Sequence, residues 1–450
     1  MQEEVCLADR VRSGGALFLI LWTVQICDAW AETSAQIESP SEEKESLSQT
    51  TQDGVSSERA QSKTEQTDDQ PWRFAPLPSF GYNLERGLGG GAYLTLFRKK
   101  ELDPEEKGVS YDISLNVGLF WTTRGYQNHK ILLDLPYLNR FGLRFQTLVG
   151  YERQSDGWYS GIGEPAALNA DLANSGRYLN ELKSLWAMST FTQPLKWFHP
   201  HLRTALTWIL RQAEIEQAPD KLLQIEAPEG AEGGRFSSLQ LSLSWDSRDR
   251  EPDTRSGVWL ETSARFAHPA LLSDWVAWGV NLTYRHYVPL SDLMKLTYAH
   301  RLGVDWQRGT PYFQRGVMGG AQWAELGGNS VLRGYKFGRF RGESSLYSSH
   351  EIRARIFRIH FKKRPIDFLL APLIDLGVIR GERSKRALGL PPDPHWIWGC
   401  AGLGGRLVYD EGFVVRADFV WAIERYEGTK NGQFQNKAQL GIFAMTGHSF

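Results

Sequence analysis

The sequence predicts an all-β fold: a sixteen-stranded antiparallel barrel that crosses an outer membrane on its strands. Three observations predict it. Apolar and polar residues alternate with period two through most of residues 76–450, which is the signature of strands with two unlike faces. The links between alternating runs fall into a short set and a long set, as they do on the two rims of a transmembrane barrel. Aromatic residues and glycine are abundant, at 17 Trp, 16 Tyr, 22 Phe and 44 Gly. That mixture suits tight turns and interfacial rings.

Taken in order, residues 1–31 read as a secretory signal. Arg10 and Arg12 precede the apolar run "GALFLILWTVQIC", and Ala29, Trp30 and Ala31 form a small-x-small cleavage site. The run is shorter than the roughly 18 apolar residues of a membrane-spanning helix. Ile26 is too large for a lipoprotein signal at Cys27. Residues 32–75 read as a disordered periplasmic tether. Between 32 and 71 only Ile37, Leu47 and Val55 are large and aliphatic, too little apolar surface to offset the chain entropy of folding.

The barrel is expected over 76–450. Its strands are placed near 77–84, 87–99, 109–122, 127–136, 142–153, 178–193, 201–214, 236–247, 257–268, 274–288, 294–307, 346–360, 366–380, 395–409, 413–426 and 433–450. In "SYDISLNVGLFWT" the residues Tyr111, Ile113, Leu115, Val117, Leu119 and Trp121 share one face. Alternation alone also fits a soluble sandwich. Loop parity separates the two: every long link (154–177, 215–235, 308–345, 381–394) follows an odd-numbered strand. Phe450 ends the alternating tail "KAQLGIFAMTGHSF", as a terminal aromatic on a closing strand would in a bacterial outer-membrane barrel.

Charge and composition exclude several functions. A formal net charge of −1 argues against a nucleic-acid partner. Cys6 and Cys27 lie in the leader, so Cys400 is the one thiol of the mature chain and no disulfide or thiolate metal site is expected. No cofactor and no metal site is read. The pair His199 and His201 is too small a ligand set. "GLGGGAY" and "GCAGLGG" sit within strands rather than before helices, so they read as wall glycines and not phosphate loops. "DSRDREPD" (246–253) lacks calcium-loop spacing and reads as a solvated periplasmic turn. Trp275, Trp278, Tyr284 and Tyr287 read as an aromatic girdle. A wall-mounted hydrolase is set aside because no strand is read as joining Ser and His on the lipid face with a matching acid.

The stretch "SVLRGYKFGRFRG" (330–342) lies in the longest outer link and keeps no period. Its "LRGY", Leu332 to Tyr335, resembles the [VL]-R-G-[FY] motif of the BamA/TamA superfamily, also called the bacterial surface antigen family. The resemblance implies that this loop folds into the lumen and that Arg333 meets acids on the twelfth and thirteenth strands. The matching positions are Glu351 in "HEIRARI" and Asp375 in "LIDLG", with Gly377 closing the second motif and Leu373 replacing the usual aromatic. Strand phase agrees independently: Ile352, Ala354 and Ile356 outward turn Glu351 inward, and Leu370, Ile374 and Leu376 outward turn Asp375 inward. "GYNLERGLGGGAYL", "WDSRDREPDTRSGVWLE" and "WYSGIGEP" resemble further segments of the family. Arg339 and Arg341 are left to either outer lipid headgroups or lumen acids. The family's POTRA repeats are replaced by the tether, so periplasmic client capture is not implied.

The resemblance implies a non-enzymatic outer-membrane protein of a Gram-negative-type bacterium that takes part in insertion or translocation. Its expected partners are outer-membrane lipids and unfolded outer-membrane or secreted clients, around a monomeric barrel. A short first strand meeting a glycine-bearing last strand (Gly432, Gly441, Gly447) allows a weak seam. The alternative reading is a passive pore or structural barrel.

Overall fold

In the computed structural model the described residues are 72–99, 111–163, 167–249, 253–293, 295–318, 324–325, 330–361, 364–381, 397–409, 413–427 and 434–446. The leader, the tether up to residue 71 and Phe450 lie outside them. Sixteen long strands form the wall. They are β1 (Trp72–Asn83), β2 (Gly87–Lys99), β3 (Tyr111–Thr122), β4 (Gln127–Leu135), β5 (Arg144–Trp158), β6 (Leu179–Pro194), β7 (Leu202–Ile215) and β8 (Gly233–Asp246), followed by β9 (Gly257–Ala267), β10 (Ala277–Ser291), β11 (Leu296–Arg308), β12 (Ser344–Phe361), β13 (Arg364–Arg380), β14 (Trp398–Tyr409), β15 (Phe413–Glu427) and β16 (Phe434–Thr446). Each pairs antiparallel with its sequence neighbours, and β16 returns to β1, so the sheet closes.

Closure satisfies the backbone of a sheet placed in lipid. The faces confirm which solvent is outside. Along β10 and β11 buried and exposed residues alternate. The exposed set is apolar (Val280, Leu282, Leu302, Val304), whereas the buried set holds Asn281, Thr283, Arg301 and Asp305. A soluble protein shows the reverse. This barrel presents its apolar face outward and its polar face to a lumen. Among the described residues no helix is long and apolar enough to cross a membrane.

One rim carries the links 159–178, 216–232, 309–343 and 381–397, and the other none longer than 100–110. Above the outer mouth, short helical turns at Ala170–Asn174, Leu222–Glu226 and Tyr312–Arg315 bring the loops together. Tyr159, Leu168, Tyr178, Leu222, Leu223 and Phe313 form a buried apolar cluster there. Tyr312 joins it, and burial pushes its phenol up to about 12 despite the nearby cations Arg341 and Arg211.

Three sequence expectations change. The first strand is not short: it begins at Trp72, inside the expected tether, and Trp72 pairs with Arg98. Pro76 and Pro78 both lie within β1, opposite Leu94 and Ala92 of β2. The girdle is incomplete, since Tyr287 is buried in the lumen and Trp275 packs on Phe313. The 246–253 turn is not fully solvated. Asp253 is buried, held by Arg255 at 2.9 Å, and Arg248 holds Asp246 at 2.9 Å. His199 and His201 pack against the Trp245 ring at centroid distances of 4.1 and 5.5 Å.

Candidate functional site: the lumen loop and the seam

The loop 330–342 descends into the barrel because its tip is built to turn and to lie flat. Leu332 (φ 51°) and Gly334 (φ 94°) are both left-handed, and the turn aims Arg333 at the wall. A side chain at Gly334 would press within 3.3 Å of Ala422 and Val420 on β15. Gly377 on β13 leaves room for the Leu332 side chain, whose carbons come within 2.8 Å of where a Cβ would stand. On β16, a Cβ at Gly441 would stand 2.7 Å from the Gly334 Cα. The loop tip therefore rests on the closing strand, glycine against glycine.

Arg333 is fully buried and meets two acids. Its backbone N–H and Nε donate to Asp375 Oδ2 at 3.0 and 2.8 Å, and Nη2 donates to Asp375 Oδ1 at 2.7 Å. Nη1 donates to Glu351 Oε1 at 2.6 Å and lies 3.6 Å from Asp418 Oδ2. The planar guanidinium can bridge two carboxylates in this way; a lysine ammonium has no such fork. Burial alone would discharge an arginine, but the surrounding acids hold Arg333 in its charged form, well above the ordinary range.

The structure thus brings Arg333, Glu351 and Asp375 together and places Gly334, Tyr335 and Gly377 around them. Tyr335 Oη lies 2.9 Å from the Gly399 carbonyl and 3.2 Å from that of Ile423. Four residues escaped sequence reasoning. Asp418 joins the acids, and Arg406 bonds both Asp418 and, at 3.2 Å, Glu351. Arg353 donates to Glu351 at 2.9 Å and Arg416 to Asp418 at 3.3 Å. Strand parity in "VVRADFVWAIE" could have found Arg416 and Asp418, since Arg416, Asp418, Val420, Ala422 and Glu424 share the buried face.

Further contacts tie the loop across the lumen. Arg339 is buried against Glu424 at 2.8 Å, and Arg341 donates to the Tyr312 carbonyl at 2.7 Å. Both arginines are thus held within the protein, not at lipid headgroups. Lys336 reaches Glu85 at 3.0 Å, in the turn after β1. Burial raises the Glu85 carboxyl, and Lys336 opposes that shift.

Beside the loop lies the seam. Among the described residues β1 and β16 pair at two positions, Tyr82↔Ala444 and Asn83↔Phe443. By contrast, β16 pairs with β15 along its full length, from Val415↔Thr446 to Glu427↔Phe434. From Phe434 to Ile442, β16 therefore has no ladder on its seam side among the described residues.

The lipid-facing wall carries one polar group of note. Ser348 and His350 do share the outer face of β12, with Ser348 Oγ 2.8 Å from His350 Nε2. The other ring nitrogen, His350 Nδ1, is 2.7 Å from Tyr298 Oη rather than a carboxylate.

An Omp85 superfamily domain matches residues 70–438. Among solved structures, BamA from Haemophilus ducreyi lacking POTRA domains 1–3 is similar in fold, with a TM-score of 0.55 and 16% identity, covering 84% of this chain and 70% of that one. CdiB from Acinetobacter baumannii gives a TM-score of 0.46 and 14% identity over 84% of this chain and 60% of its own. No curated protein matches the sequence. With a closed sixteen-strand wall, an arginine-tipped loop in its lumen and a domain match over most of its length, this chain belongs to the Omp85 superfamily of outer-membrane barrels.

Proposed function

We propose that this barrel inserts or translocates client polypeptides through the seam between β1 and β16. The observation that carries the reading is the two-pair seam, lying directly against a loop tip latched by Arg333. A closed barrel removes its edges; among the described residues, this one leaves β16 without a seam-side partner over nine residues, from Phe434 to Ile442. An extended client segment can add to such an edge through main-chain hydrogen bonds. The latch, Arg333 with Gly334 and Tyr335 against Glu351, Asp375 and Gly377, fixes the loop while the seam works. The barrel acts as a monomer in outer-membrane lipid, exported by its leader, with its tether in the periplasm. Unfolded outer-membrane or secreted proteins are its clients.

The passive-pore reading is less favoured because apolar loops meet above the outer mouth and the 330–342 loop crosses the lumen. A hydrolase reading of Ser348 and His350 lacks the carboxylate that orients the base in a triad. The test is a reversible lock. Tyr82 and Ala444 are direct cross-strand partners, so Tyr82→Cys with Ala444→Cys, in a Cys400→Ser background, should close the seam on oxidation. Cells carrying the oxidised lock should lose the same outer-membrane or secreted proteins as a deletion strain, and reduction should restore them. An unchanged envelope proteome in the locked strain, when the deletion strain is altered, would sink the seam mechanism.

A further inference from the structure

The arginines of the latch all find carboxylates, but two buried arginines elsewhere on the lumen wall do not. Arg285 on β10 and Arg301 on β11 are direct cross-strand partners on the inward face, 4% and 2% exposed. Among the described residues neither makes an ion pair with any carboxylate, and the Nε of each has no hydrogen-bond partner. Each guanidinium lies near an aromatic ring instead: Arg285 is 4.3 Å from the Trp259 centroid and Arg301 5.1 Å from that of Tyr347.

The row continues with further donors. Arg301 pairs with Ser349 on β12, and Gly303 with Tyr347. The Tyr347 ring lies across Gly303, where a Cβ would meet the phenol oxygen at 2.3 Å. Tyr347 Oη and Ser349 Oγ are buried and likewise have no hydrogen-bond partner among the described residues. Of the buried acids on the neighbouring rows, Glu351 beside Ala299 and Asp375 beside Ser349 are already bonded by Arg333, Arg353 and Arg406, and Glu261 of β9, opposite Thr283, makes no ion pair with Arg285 or Arg301.

Like charges placed directly opposite each other on a sheet repel, and a buried cation without a counter-charge is costly. Four buried donors on three adjacent strands, two of them cationic and none bonded to an acid among the described residues, match the chemistry of an oxyanion. We propose that Arg285, Arg301, Tyr347 and Ser349 form a binding site in the lumen for a phosphate-type oxyanion. The two guanidiniums supply the charge and planar donor forks, and the two hydroxyls take the remaining oxygens. The anion is either free phosphate or the phosphate of a lipid headgroup.

The full chain, purified in detergent at constant ionic strength, is titrated with inorganic phosphate while unfolding is followed by tryptophan fluorescence. A saturable rise in Tm is expected, absent when chloride replaces phosphate. Arg285→Met and Arg301→Met should each weaken phosphate at least tenfold. Without phosphate neither variant should be less stable than wild type, because each relieves the repulsion. Ser349→Ala, which removes one hydroxyl and leaves both charges, should weaken phosphate several-fold and serves if the methionine variants do not fold. Glycerol phosphate binding at least tenfold tighter than inorganic phosphate identifies a headgroup as the source; equal binding identifies the free anion. A wild-type Tm that does not respond to either compound, or a response that survives in the Arg285→Met/Arg301→Met double variant, would overturn the site.

Discussion

Arg333 concentrates the chemistry of the lumen loop in one side chain. Five of its contacts run to three acids on three different strands, β12, β13 and β15. Removing one partner of a buried pair strands the other charge, typically at a cost of about 3–5 kcal/mol. Arg333→Ala should therefore raise protease sensitivity in 330–342 and lower the temperature at which the folded barrel survives on a gel. Asp375→Asn should act in the same direction. The double variant should be less than additive, since each change breaks the same contact; simple addition would show that the two do not work together. Arg333→Lys should rescue poorly. Arg333, Glu351 and Asp375 were legible through a motif and through strand phase. Arg353, Arg406 and Asp418 were not singled out, although each sits at an inward parity. Alternation says which way a residue faces, but it does not say which inward neighbours lie close enough to bond.

At the scale of elements, wall glycines decide where the loop can lie. Gly441→Val should displace the tip, because its Cβ would overlap the Gly334 Cα, and overpacking of this kind costs about 1–3 kcal/mol. Gly405→Ala is the matched control, since nothing stands within 4 Å of its added Cβ. Limited proteolysis of the loop should separate the two variants; equal cleavage would show that the glycine contact does not set the loop position. Most strands were legible because a lipid-facing row leaves an unmistakable period. The start of β1 was not: Trp72–Ala75 directly follow the polar, charged segment of the expected tether, and only the pairing of Trp72 with Arg98 shows where the strand begins. The helical turns of the outer loops were not legible either, for they are held by tertiary packing and carry no repeat of their own.

For the molecule as a whole, loop parity predicts which rim faces outward. An epitope inserted near Gly230 should be labelled on intact cells, and one near Asp292 should not; labelling at Asp292 would reverse the barrel. The apolar cap above the outer mouth and the latched loop predict a low conductance in planar bilayers. Arg333→Ala should raise it by releasing the loop. A wild-type barrel that already conducts like an open porin would mean that the lumen is not obstructed, and would favour the passive reading.

The register of β1 against β16 gives the seam a direction. An edge is a template only where its N–H and C=O groups are free to pair, and proline blunts it by removing donors. With Tyr82 opposite Ala444 and Asn83 opposite Phe443, the stretch of β16 from Ile442 back to Phe434 runs past the end of β1, and it contains no proline. The open stretch of β16 therefore lies beyond the end of β1, at the rim of the turn into β2, and it is receptive along its length. A photocrosslinker at Leu440 should capture an incoming segment, and one at Leu77 should not. The barrel would then be lengthened by its guest at the last strand, so each client in transit becomes, for a time, a seventeenth stave in the wall.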